Sequence, residues 1–221
     1  MPIALIFLVS TGMDPKIWYF SVFSVPPWFN CILRMKRGAG AKANQVRIIG
    51  GIWRSRVLRF PAVDDLRPTP DRVRETLFNW LGQDLTGQTC LDLFAGSGAL
   101  GFEATSRGAK SVVMIEHNAK AERALRENCS LLAGERIEIQ RADALAFLRV
   151  DTRRFDVIFL DPPFQADLIP NVMPLLPDRL APGGRVYLEA DHLPDLSPGW
   201  QRLKHTRAGS VQGLLIEWRP T

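Results

Sequence analysis

The chain has 221 residues, 46% of them hydrophobic and 23% charged, and a net charge of +5. That length accommodates one α/β domain with a small extension and not two full catalytic domains. The composition excludes a disordered chain, and no run of about eighteen apolar residues could span a bilayer. Three scattered cysteines, Cys31, Cys90 and Cys129, exclude a disulfide scaffold or zinc ribbon and fit a reduced, cytoplasmic compartment.

Residues 1–34 are apolar without a helical or strand period. No Lys or Arg precedes the apolar run Met1–Val9, so it does not match a signal peptide. Asp14, Lys16 and the prolines interrupt any membrane anchor. The expectation is that translation begins at Met35 and that 1–34 is a dispensable, non-native or disordered extension. Residues 35–63 then hold seven cations (Lys36, Arg37, Lys42, Arg47, Arg54, Arg56, Arg59) and no acid, while residues 64–221 sum to −3. A basic front end on a nearly neutral body points to a polyanionic partner, with Arg54 and Arg56 as RNA contacts; a solvated basic tail is the plain alternative.

Two short strands are predicted at Val46–Ile49 and Arg56–Phe60, separated by Gly50-Gly51. Asp71–Leu81 carries Val73, Leu77, Phe78, Trp80 and Leu81 at helical spacing, with Thr69 or Asp71 as the expected N-cap. Strands and helices then alternate. Strands are expected at Thr89–Phe94, Ser111–Glu116, Ile137–Gln140, Val157–Leu160 and Arg185–Ala190. Helices are expected at Leu100–Arg107, Ala119–Leu132, Ala144–Leu148 and Leu168–Leu176. This is the pattern of a parallel sheet covered on both faces. Trp200–His205 and Leu214–Trp218 read as an antiparallel pair. The extension (35–85) and the catalytic domain (86–221) are taken as the two parts of the fold.

Gly96, Gly98 and Gly101 fit G-x-G-x-x-G between a predicted strand and a predicted helix, a turn that lets a nucleotide approach the backbone. Glu116, twenty residues after Gly96, ends the next strand and suits ribose hydroxyls. Dehydrogenases and methyltransferases share this arrangement. Asp92 separates them: it would repel a pyrophosphate at the helix N-terminus and attract the sulfonium and ammonium of S-adenosylmethionine. The second motif, Asp161-Pro162-Pro163-Phe164, follows a buried strand. Its prolines leave carbonyl acceptors free, Asp161 adds a carboxylate for an exocyclic amine, and Phe164 offers a ring for stacking.

Asp161–Phe164 resembles the [DNS]-P-P-[YF] signature of amino-group methyltransferases acting on nucleic acid. Together with Val46–Gly51, the run from Leu66 to Leu81, and Asp92–Gly101, the chain resembles the bacterial 16S rRNA guanine-N2 methyltransferases (the RsmD family, whose target is guanine 966 in the family's naming). The resemblance implies an α/β class I methyltransferase, Rossmann-like, with a seven-stranded sheet, an antiparallel C-terminal strand, and a small N-terminal hairpin and helix. It implies S-adenosylmethionine held by Asp92, Phe94, Gly96, Gly98 and Thr69, with Glu116 on the ribose and Asp143-Ala144 on the adenine. It implies a guanine received by Asp161, Pro162, Pro163 and Phe164, and RNA contacts from Arg67 and Arg74. The implied partner is 16S rRNA in the small ribosomal subunit or an assembly intermediate, met by a monomer that uses no metal and no membrane. Three other readings stay open: a DNA adenine or cytosine amino-methyltransferase, an NAD-dependent dehydrogenase, and a non-catalytic RNA-binding module.

Overall fold

The computed structural model describes residues 44–62, 69–163, 168–192, 194–209 and 211–220. The expectations for residues 1–34, Arg67 and Phe164 lie outside them.

The first two strands, β1 (Asn44–Arg47) and β2 (Val57–Phe60), pair antiparallel as a hairpin. Helix α1 (Asp71–Leu81) follows, then β3 (Thr89–Asp92), α2 (Ala99–Ser106), β4 (Ser111–Glu116), α3 (Ala119–Leu131), β5 (Ile137–Arg141), α4 (Ala144–Val150) and β6 (Phe155–Leu160). The chain ends with a short α5 (Ile169–Val172), β7 (Leu180–Ala190), β8 (Trp200–Ala208) and β9 (Val211–Trp218). The seven-stranded sheet has the order β5-β4-β3-β6-β7-β9-β8. β5, β4, β3, β6 and β7 run parallel, while β9 is antiparallel to both β7 and β8. The last strand in the chain is therefore the reversed one, as the family resemblance implies.

Period-two alternation sorts the strand residues between two cores. Cys90, Val112, Met114, Val157, Phe159, Tyr187 and Leu215 face one; Leu91, Val113, Ile115, Ile158, Leu160, Leu188 and Ile216 face the other. The hairpin and α1 belong to the first core through Val46, Ile48, Leu58, Phe60, Val73, Leu77 and Phe78. Each such side chain, fully buried, contributes about 1.5–3 kcal/mol.

Polar clips fix the hairpin on α2 and α3. The Glu103 carboxylate accepts the Ile49 and Gly50 N–H groups at 2.7 and 2.8 Å. Asn128 accepts the Arg59 N–H at 3.2 Å and donates to its carbonyl at 2.8 Å. Gly51 (φ +74°) sits so close to α2 that a Cβ there would lie 1.8 Å from the Ser106 carbonyl oxygen, which excludes every other residue.

Three expectations need correction. Neither Thr69 nor Asp71 caps α1: the N-cap is Pro70, without a side-chain hydrogen bond. Both side chains are engaged elsewhere, Thr69 with Asp161 and Asp71 with Arg74. The expected helix Leu168–Leu176 is α-helical only over Ile169–Val172 and continues as 3-10 turns at Met173–Leu175 and Pro177–Arg179. Pro170, Pro174 and Pro177 lack the N–H groups that an α-helical ladder requires. The strand expected to start at Arg185 begins at Leu180, and residues 181–184 bulge between the pairs Phe155↔Leu180 and Val157↔Arg185.

Candidate active site

Parallel strands bring their carboxyl ends to one edge of the sheet, and most of the acids singled out in the sequence gather there. β3 ends on Asp92, β4 ends on Glu116, β6 leads into Asp161, and Asp143 follows β5. Asp92 and Glu116 are buried. Asp143 is exposed and caps α4, its Oδ1 accepting the Ala146 N–H at 2.9 Å, with Ala144 buried behind it. Phe94 is half-buried against the core that contains Leu91 and Leu160.

The turn from β3 into α2 requires left-handed backbone at Gly96 (φ +52°) and Gly98 (φ +78°). A Cβ on Gly98 would stand 2.5 Å from the Phe102 ring and 2.6 Å from a Leu125 methyl, so the site also needs glycine for space. The amides of this turn are already engaged. Gly96 N–H donates to Glu116 Oε2 at 2.8 Å, Gly101 N–H to Asp92 Oδ2 at 2.9 Å, and Gly98 N–H to the Ala95 carbonyl at 2.7 Å. A pyrophosphate would have to displace these bonds and would face several carboxylates at once. The donor set instead fits a phosphate-free cation that also carries hydroxyls. Burial lifts the Asp92 carboxyl to about 7, opposed by the Gly101 amide and reinforced by Asp161 and Glu116. A bound cation would draw that carboxyl back to its ionised form.

The second half of the site surrounds Asp161. The Thr69 hydroxyl donates to Asp161 Oδ2 at 3.2 Å. Burial raises the Asp161 carboxyl to about 6, and the Thr69 bond works against that rise. Pro162 is buried and Pro163 half-buried beside it. On the neighbouring strand β7, Glu189 is buried, and its Oε1 accepts the Tyr187 hydroxyl at 2.9 Å. Burial, then the charge of Asp161, lifts Glu189 to about 8.

The expected RNA contact at Arg74 is corrected by its burial. Its side chain is 0% exposed. Its guanidinium donates to the Thr69 carbonyl (3.2 Å), the Arg47 carbonyl (2.9 Å), Asp71 Oδ1 (2.6 Å) and Glu103 Oε2 (3.5 Å). Arg74 is an internal strut that ties the hairpin and α2 to Thr69, with nothing left to offer a phosphate. Arg54 and Arg56 are exposed, but the loop that carries them bonds to the far end of α2, with Ile52 N–H on the Ser106 carbonyl at 2.8 Å. Eight helical residues rise about 12 Å, so these arginines stand a helix length from the glycine turn.

Sequence reasoning missed Glu189, Tyr187 and Glu103. The first two carried a usable signal, because an acid and a tyrosine alternating within the apolar stretch Val186–Ala190 repeat what made Asp92 conspicuous. Glu103 carried none, since an acid on an amphipathic helix usually faces water.

A parallel sheet with one reversed terminal strand, its carboxyl edge lined by acids and its glycine-turn amides closed to phosphate, defines a class I, S-adenosylmethionine-dependent methyltransferase. Residues 46–217 match the family model described as Conserved hypothetical protein 95, and the chain belongs to that family. It is similar to the Ribosomal RNA small subunit methyltransferase D of Escherichia coli (strain K12), with 39% identity over 182 residues covering 80% of this chain and 92% of the other. Among solved structures, yhhF from Escherichia coli superposes with a TM-score of 0.73 at 38% identity, covering 80% of this chain and 100% of the other. The Thermus thermophilus 16S rRNA N2 G1207 methyltransferase, solved with AdoMet and guanosine, gives a TM-score of 0.61 at 25% identity over 80% of this chain and 50% of the other.

Proposed function

We propose that this protein transfers a methyl group from S-adenosylmethionine to the exocyclic N2 amine of a guanine in 16S rRNA, guanine 966 in the family's naming. Its substrate is the small ribosomal subunit or an assembly intermediate in the cytoplasm, and it works as a monomer. The observation that carries this reading is the Asp161 carboxylate. Thr69 holds it at the same sheet edge as Asp92, beside two prolines that have no N–H to compete for acceptors.

Asp92 and the turn through Gly96 and Gly98 would hold the methionine end of the cofactor, with Thr69 nearby. Glu116 would take the ribose, and Asp143, Ala144 and Phe94 would lie toward the adenine. Bound there, the cofactor supplies a methyl group already activated by its sulfonium, so the transfer calls for no metal. Asp161 accepts an N–H of the guanine amine and turns the nitrogen lone pair toward that methyl group. Alignment of this kind is worth up to roughly 7–11 kcal/mol of barrier. As the N–C bond forms, the amine becomes positive, and a fixed carboxylate stabilises it more than it stabilised the neutral amine. The surplus proton then passes from nitrogen to Asp161. A paired guanine cannot enter, so the base is taken unpaired or flipped out.

The test is transfer of labelled methyl groups to free 16S rRNA and to small-subunit particles from cells lacking the enzyme, followed by mapping of the modified nucleotide. A single N2-methylguanine is expected. Label on adenine, cytosine or DNA would replace this reading with another amino-methyltransferase.

The position of Arg54 and Arg56 sets a narrower expectation. Replacing both with Gln lowers RNA affinity and flattens its salt dependence, by about 0.7–0.9 in slope per lost phosphate contact. Because they lie a helix length from the glycine turn, the loss falls on affinity and not on kcat at saturating RNA. An unchanged salt slope would assign them to the solvated surface.

A further inference from the structure

The region around Thr69 contains a problem of proton counting. Thr69 is buried, and its hydroxyl reaches both Asp161 and Glu189. A hydroxyl has one proton to donate. It gives that proton to Asp161 Oδ2. If Glu189 were also ionised, two carboxylates would share a buried site with one donor between them, and the Thr69 oxygen would face a negative charge that it could not satisfy. Tyr187 relieves only one side of Glu189, donating to Oε1 at 2.9 Å. The arrangement closes when Glu189 carries a proton. Tyr187 then donates to Glu189, the Glu189 acid donates to the Thr69 oxygen, and Thr69 donates to Asp161.

We propose that Glu189 is a positioning residue that works as a neutral acid, fixing Asp161 through Thr69 as the single ionised acceptor for the target amine. This rests on the reaction described above and names a residue outside its direct contacts. The other groups around the relay agree with one shared proton. Asp92 lies across on β3 with Glu116 beyond it, both acidic and both discouraging a second negative charge near Asp161. Arg74 approaches from α1, but it bonds the Thr69 carbonyl and is neutralised by Asp71 and Glu103. β9 contributes only Gly213, where a Cβ would stand 2.9 Å from the Tyr187 oxygen, so the glycine makes room for the tyrosine. In the transfer itself the amine proton moves to Asp161. The pair then briefly holds two protons, and one leaves to solvent when product departs.

The sign of the pH dependence follows. With Asp161 raised to about 6 and Glu189 to about 8, the pair holds one proton between those values. Activity therefore rises through about 6 and falls again above about 8. Glu189→Ala breaks the relay and lowers kcat by roughly 100-fold, as a small misplacement of a reacting group does. Glu189→Gln accepts from Tyr187 and donates to Thr69 without titrating, so it recovers most of that loss and keeps the acid limb while the alkaline limb disappears. Infrared difference spectra of wild type against Glu189→Gln supply a readout independent of turnover. They should show a protonated-carboxyl band at pH 7 that titrates away near pH 8. Absence of that band overturns the proposal, as does a Gln variant as slow as the Ala variant or one with its alkaline limb intact. Failure of the wild type to methylate a guanine would count against the proposed reaction alone, because the infrared band does not depend on it.

Discussion

Asp161→Ala should lower the methyl-transfer rate by about 100- to 1,000-fold, the scale of removing one fixed group that stabilises developing charge. The variant loses both functions that the geometry gives this carboxylate: holding an amine N–H before the transfer and neutralising the charge that appears during it. Its fold should survive, since among the described residues the hydrogen bond lost is the single one from Thr69. Cofactor affinity should stay within a few-fold, because the cation site is built on Asp92 and the glycine turn. Asp92→Ala is the counterpart: its carboxylate accepts the buried Gly101 amide and faces the cofactor, so binding weakens first. Single-turnover rates with calorimetric cofactor affinities separate the two variants. A nearly active Asp161→Ala protein would remove the assigned mechanism.

The sheet and most of the site edge were legible in the sequence for a physical reason. Parallel strands buried on both faces must be continuous apolar runs, so Ser111–Glu116 is bounded on sequence evidence alone. An acid at the end of such a run, as with Asp92 and Glu116, conflicts with the local pattern, and such conflicts tend to mark function. The Leu168–Leu176 helix misled because hydrophobic periodicity carries no information about missing amide donors, and three prolines broke the ladder. The bulge before Arg185 was illegible for a related reason: pairing resumes across a Pro-Gly-Gly loop that composition alone places outside a strand.

Side chains that turn inward against their type were the main blind spot. Glu103 and Arg74 look like ordinary polar positions on helices, and composition gives any arginine in an RNA-binding protein a plausible external role. Only the tertiary arrangement shows that the hairpin presents the amides of Ile49 and Gly50 to Glu103 and the Arg47 carbonyl to Arg74. The same hairpin that makes the front end basic therefore requires a buried ion cluster beneath it.

That cluster sets the second large effect. Glu103 accepts two backbone amides and bonds Arg107 at 2.8 Å, while Arg74 joins Glu103, Asp71 and two carbonyls; the side chains of Glu103 and Arg74 are both 0% exposed. Replacing Arg74 with Ala leaves the Thr69 and Arg47 carbonyls and part of the Glu103 charge without a donor. Breaking a buried pair in this way costs about 3–5 kcal/mol. For a domain of this size that is a fall of roughly 6–20 °C in Tm. Arg74→Lys should recover little, because an ammonium cannot reach four acceptors spread along a planar fork. Near the growth temperature the Ala variant should also lose activity, since the Thr69 carbonyl that Arg74 holds precedes the hydroxyl that orients Asp161. An RNA-contact role predicts the opposite pattern, with unchanged Tm and weaker RNA binding. Thermal melts read beside RNA titrations distinguish the two, and a Tm within about 2 °C of wild type, less than 1 kcal/mol, would contradict the buried-strut assignment.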